Sequence, residues 1–191
     1  MGHSQAEKEA THLRIVEVAA RRFREVGIDG IGVADVMKEA GLTVGGFYKH
    51  FRSRDHLVAE AVARAFQDLD AWEDAATSLA QMVSEFSLTE AHRDAPGSGC
   101  GVCALVGDIG RSNAEARGLY TSRVKRSLAL WDTLLMIDDP AERRARALLL
   151  LSTIVGAVNL ARAVSDPALS REILASVARQ LLPLLPERAS R

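Results

Sequence analysis

The sequence predicts an all-α chain. Apolar residues recur at three- and four-residue spacing through most of its 191 residues. No segment sustains the alternation of a strand, and the periodic stretches break at Gly, Pro and Asp-Pro. Hydrophobic residues make up 48% of the chain, enough for a core, so neither disorder nor a coiled-coil rod fits.

The elements follow in order. Leu13, Val16, Ala20, Phe23 and Val26 share one face of a helix over 8–26, stopped by Gly27. Val33, Val36 and Met37 set a short helix over 33–40, closed by Gly41. A third covers 44–50 with Thr43 as its N-cap, because a hydroxyl there can accept an orphan backbone N–H. Ser53 caps the next, whose stripe Leu57, Ala61, Ala65, Leu69 and Trp72 is long. A fifth helix over 75–92 precedes the loop 94–99. A short helix over 101–111 follows, then one over 114–137 carrying Tyr120, Val124, Leu128, Trp131 and Leu135. Asp139-Pro140 is good N-terminal chemistry for a helix over 141–164, which ends at Ser165-Asp166-Pro167. The last helix covers 169–185 and breaks at Pro183 and Pro186.

Charge is nearly balanced, with 24 Lys and Arg against 25 Asp and Glu. Residues 1–56 hold nine basic and eight acidic side chains and four of the five histidines, too even to demonstrate nucleic-acid binding by charge alone. Two cysteines are too few for a disulfide framework. Residues 1–9 are polar and do not read as a signal peptide. The apolar run 147–164 is long enough for a membrane span, but Ser152, Thr153, Asn159 and Arg162 favour a core or interface helix. The chain reads as soluble and cytoplasmic.

Residues 33–50 have the proportions of a helix-turn-helix: a short helix, a turn holding Gly41 and Leu42, and a second short helix. Gly45 and Gly46 make that second helix weak alone but allow close backbone approach. Tyr48, Lys49 and His50 supply a hydroxyl, a cation and an imidazole for phosphates or base edges. The plain alternative makes Phe47, Tyr48 and Phe51 core aromatics, and Lys49 and His50 solvated surface.

The run Ala40-Gly41-Leu42-Thr43-Val44-Gly45-Gly46-Phe47-Tyr48-Lys49-His50-Phe51-Arg52-Ser53-Arg54-Asp55-His56-Leu57 resembles the DNA-binding domain of the tetracycline-repressor (TetR) family, over roughly residues 10–66. The resemblance implies about nine helices and a homodimeric transcriptional regulator, usually a repressor released by a small ligand. It implies an N-terminal three-helix DNA-binding domain over 1–56, with its helix-turn-helix at about 31–50, and a ligand-binding and dimerisation domain over 57–191. The contacts it implies to double-stranded operator DNA fall on Thr43, Val44, Gly45, Gly46, Tyr48, Lys49 and His50, with His50 open between phosphate contact and packing. The chain departs from the family at Ile31 and Gly32, often Thr or Ser, at Val44, commonly Lys or Pro, and at Ala34, often polar.

The helix over 141–164 is apolar on more than one face and needs two partners, its own core and, most simply, a second subunit. An internal core in a monomer is the alternative. Val155, Gly156 and Asn159, with Ile173, Val177 and Leu181 of the last helix, are the candidate dimer interface, as the resemblance also implies. The family keeps a ligand cavity, and Phe66, Met82, Phe86, Cys100, Tyr120 and Trp131 are its candidate lining, although aromatics at helical spacing are more often core. With no buried charge cluster evident in the sequence, an apolar or neutral ligand is expected.

Cys100 and Cys103 lie at a helix start, where the helix dipole favours a thiolate. The Gly-Cys there resembles a family branch in which a cysteine senses electrophiles or oxidants. Two small residues in a glycine-rich bend is the plainer reading. One C-x-x-C with only His92 nearby lacks a tetrahedral metal set. No Ser-His-Asp spacing, phosphate loop or nucleotide fingerprint marks an enzyme, and no cofactor is expected. A helical binding module without DNA is the remaining class.

Overall fold

The computed structural model describes residues 5–75 and 78–185, and no strand occurs among them. Pro186 lies outside the described residues, as do 76 and 77 of the expected fifth helix. The helices are α1 (Gln5–Val26), α2 (Val33–Glu39), α3 (Arg54–Ala75), α4 (Leu79–Gln81), α5 (Glu90–Asp94), α6 (Gly101–Ile109), α7 (Ala114–Leu134), α8 (Pro140–Ala163) and α9 (Pro167–Leu181). Tighter 3₁₀ turns occupy Val44–Lys49, Pro96–Ser98 and Leu182–Leu184, and a wider π turn occupies Met82–Ser87. The chain forms two compact units, one from residues through Leu69 with Pro96–Thr121, the other from Asp70–Ala95 with Ser122 onward. Helices α3 and α7 each contribute to both.

In the first unit, α1 buries Ile15, Val16, Ala19, Ala20 and Phe23. Leu13 and Val26, expected on that face, are exposed. They sit at the two ends of the stripe, where the 100° step of the helix has turned them off the packed side. Gly27 and Gly41 close α1 and α2 at φ of +84° and +74°, backbone that favours glycine. At Gly41 the Leu42 N–H donates to the Met37 carbonyl at 2.9 Å and the Gly41 N–H to the Lys38 carbonyl at 3.0 Å, the paired bonds of a Schellman cap. This turn directs the chain from α2 into Val44–Lys49. Arg24 is buried and binds three segments: its Nε donates to the Ala20 carbonyl, and its Nη1 to Asp68 and to the Gly99 carbonyl, each at 3.0 Å.

In the second unit, α8 turns Ala147, Leu150, Ile154, Ala157, Val158 and Ala161 inward against α9, which buries Ser170, Leu174 and Leu181. Asp139 and Asp166 cap these helices, each followed by proline at the first helical position. The segment expected as one helix over 75–92 is broken. Ser78 caps α4, Thr89 caps α5, and Leu88 between them leaves helical geometry. Two local side-chain acceptors compete here with continued helix. By length and composition α8 could cross a membrane, with mean hydropathy 1.4 over its best window, of which 33% is buried.

Candidate nucleic-acid interface

The segment Val44–Lys49 is a 3₁₀ turn rather than the expected α-helix. Adjacent glycines disfavour the α form, and the bonds formed are short-range, Gly46 N–H to the Thr43 carbonyl at 3.0 Å and His50 N–H to the Phe47 carbonyl at 2.9 Å. Ring packing holds the segment instead. Phe47 and Phe51 are buried and stacked at 5.3 Å. His12 of α1 stacks on the other side of Phe51 at 4.6 Å, and His56 of α3 meets it edge-on at 5.9 Å.

With Phe47 turned inward, Tyr48 turns outward at 78% exposed, its ring edge against Phe47. Thr43, Val44, Gly45 and Lys49 are also exposed, and Gly46 is half-buried. The Thr43 hydroxyl makes no capping bond, contrary to expectation, and stays available. His50 is half-buried, and its Nδ1 has no hydrogen-bond partner. Burial pushes the His50 imidazole below its ordinary value, and His12, Lys8 and Lys49 push the same way. At neutral pH it therefore offers a hydrogen bond rather than a charge. The arrangement is a strip of hydroxyl, cation and open backbone, mounted on an aromatic core, which suits phosphates and groove edges. Sequence reading missed His12 as part of that mount. It lies 39 positions before Phe51, and no local pattern joins them.

The six candidate pocket residues fall into two groups. Phe66, Cys100 and Tyr120 belong to the first unit, where the Phe66 and Tyr120 rings meet edge-on at 5.9 Å and the Tyr120 hydroxyl donates to the Val102 carbonyl at 2.9 Å. Burial, then Cys103 and Cys100, raises the Tyr120 phenol well above its ordinary value. Cys100 is half-buried at the N-cap of α6, and Cys103 is buried. Met82, Phe86 and Trp131 belong to the second unit, Met82 and Trp131 buried and Phe86 exposed against Trp72.

The expectation that no buried charge cluster exists is corrected there. Arg123 and Glu73 are each 4% exposed and paired through Nη2, Ser127 Oγ donates to Glu73 at 2.7 Å, and Asp70 lies 3.3 Å from Arg123 Nε. The partners come from α3 and α7, about fifty positions apart, so spacing gave no sign of them.

Of the candidate dimer residues, Gly156 is exposed and Val155, Asn159, Ile173 and Val177 are half-buried within one chain. Leu181 is closed into its own chain's core, because its turn of α9 points toward α8. Leu148, Leu149 and Leu160 are exposed on the outer side of α8, and Leu169 at the start of α9.

Residues 15–61 match the family described as bacterial regulatory proteins, tetR family. No curated protein matches the chain. Solved structures match its fold throughout. A TetR-family regulator from Agrobacterium tumefaciens is 16% identical with a TM-score of 0.76, covering 94% of this chain and all of its own. A TetR regulator from Chloroflexus aurantiacus is 22% identical with a TM-score of 0.77, over 94% of this chain and 96% of its own. The reduced form of E. coli NemR is 16% identical with a TM-score of 0.75, over 95% and 100%. Residues 15–61 thus carry the sequence of the tetR-family N-terminal region, and the chain as a whole has the fold of solved TetR-family regulators.

Proposed function

We propose that the chain is a cytoplasmic, homodimeric repressor that leaves a near-palindromic operator when a small molecule binds. The observation that carries this is the outward strip at Thr43, Gly45, Tyr48 and Lys49, raised on buried Phe47 and Phe51. One such segment reads only a few base pairs. Two, related by a two-fold axis, reach successive major grooves about 34–36 Å apart. The second subunit is proposed to cover the outer face of α8 and α9, where Val155, Gly156, Asn159, Ile173 and Val177 lie beside exposed leucines. Residues 1–56 take the DNA role and 57–191 the ligand and dimer roles. An inducer acts by preferring the wrongly spaced state, with a coupling of about 1–3 kcal/mol. Phe66, Cys100 and Tyr120 of the first unit form one set of candidate contacts for it, and Met82, Phe86 and Trp131 of the second unit another.

The test is binding to a duplex from the region upstream of the chain's own gene, followed across salt concentrations. The wild type is expected to bind as a dimer with a steep salt dependence. The double variant Tyr48→Ala, Lys49→Ala is expected to lose the duplex while sedimenting unchanged. Retained binding would place the interface elsewhere, and a monomeric wild type would remove the spacing mechanism.

Cys100 favours a second reading. Its thiol is half-buried at the start of the nine-residue α6, three positions before Cys103. Here an electrophile forms a bond to the Cys100 sulfur, the thiol proton leaves, and the modified protein releases DNA. Cys100→Ser is then expected to keep its duplex under a thiol-alkylating reagent that strips the wild type. Equal loss from both proteins would end this reading.

A further inference from the structure

We propose that Glu60 is the positioning residue of the DNA-reading segment, acting through two histidines that grip Phe51 from opposite helices. The proposal rests on the DNA contacts assigned above to residues 43–50. Glu60 lies on α3, and its two carboxylate oxygens serve two rings. Oε2 is 2.5 Å from His12 Nε2 on α1, and Oε1 is 3.0 Å from His56 Nε2 one turn earlier on α3. Both rings then reach the end of the reading segment. His12 lies flat on Phe51 at 4.6 Å, and His56 meets it edge-on at 5.9 Å.

The protonation pattern of His56 follows from its neighbours. The Arg52 backbone N–H, which can only donate, lies 3.4 Å from His56 Nδ1. Nδ1 is therefore the acceptor, and the ring proton sits on Nε2, where it is donated to Glu60. This makes a relay from the carboxylate through the imidazole to the peptide that immediately follows Phe51. A carboxylate that orients imidazoles by holding one nitrogen is the arrangement found behind metal-bound histidines. Here the oriented rings hold a peptide and an aromatic side chain. The segment needs such a hold, because two glycines and 3₁₀ bonding leave it little rigidity of its own.

The sign of the Glu60→Gln effect separates positioning from simple charge. Removing a negative charge near DNA strengthens binding if charge alone matters. If Glu60 positions the segment, Glu60→Gln weakens binding, because the two rings sit on different carboxylate oxygens and one of these becomes an NH2 that cannot accept an imidazole N–H. The experiment uses the full chain and the same upstream duplex. Glu60→Gln is expected to lower affinity about tenfold. Its salt slope should stay at the wild-type value, since no phosphate contact is removed. Nitrogen-15 spectra of His56 should move away from the Nε2–H pattern. His56→Ala is the second variant, expected to lose a similar factor, with no further loss when combined with Glu60→Gln. Affinity equal to or tighter than wild type, fully additive losses, or an unchanged His56 spectrum would each overturn the proposal. If Glu60→Gln lowers the thermal midpoint, the additivity of the two variants decides. If the Tyr48→Ala, Lys49→Ala protein fails to bind while Glu60→Gln binds normally, the interface stands and only Glu60's role falls. If the double variant still binds, the interface assignment falls first.

Discussion

Replacing Arg123 with alanine is expected to destabilise the chain by about 3–5 kcal/mol, the cost of leaving a buried ion without its partner. Glu73, buried, would keep only the Ser127 hydroxyl at 2.7 Å. Glu73→Ala should cost less, because Arg123 retains Asp70 at 3.3 Å. Removing both ends with apolar residues of similar volume should cost less than the two single changes summed. Thermal unfolding at neutral pH checks this, and a midpoint within a degree or two of wild type would refute the uncompensated charge.

Phe51→Ala is the second large change, with an expected cost of about 3–5 kcal/mol. Phe51 is 1% exposed and touches the Phe47, His12 and His56 rings, so its removal empties the mount of the reading segment. Stability and DNA affinity should fall together. Tyr48→Ala should lower affinity while leaving the unfolding midpoint in place, since that ring is 78% exposed. Urea unfolding paired with duplex titration separates the two. A Phe51→Ala protein that binds DNA normally would show that the segment holds its shape without the ring stack.

The sequence marked those features that depend on neighbours along the chain. Gly41 forecast the left-handed turn, Ser53 the cap of α3, whose oxygen accepts from the His56 N–H at 3.2 Å, and Asp139-Pro140 and Asp166-Pro167 the starts of α8 and α9. It failed where distant partners or competing local bonds decide. Leu13 fits the α1 stripe by spacing, but it is turned off the packed side and left exposed. Thr89 looks like a tolerable helix residue until its hydroxyl captures the His92 N–H and restarts the chain. Arg123 and Glu73 read as solvated charges because most such residues are. The candidate interface divides the same way. Tyr48 and Lys49 stand out in a local motif, whereas His12 and Glu60, 48 positions apart, become neighbours only through folding.

The reading strip and its mount share almost no side chains. Phe47 and Phe51 belong to the interior, while Thr43, Val44 and Lys49 are exposed and Tyr48 meets the interior only through its ring contact with Phe47. Lineages can therefore exchange those four freely, and a descendant can drift to a new target sequence without first surviving a poorly folded ancestor.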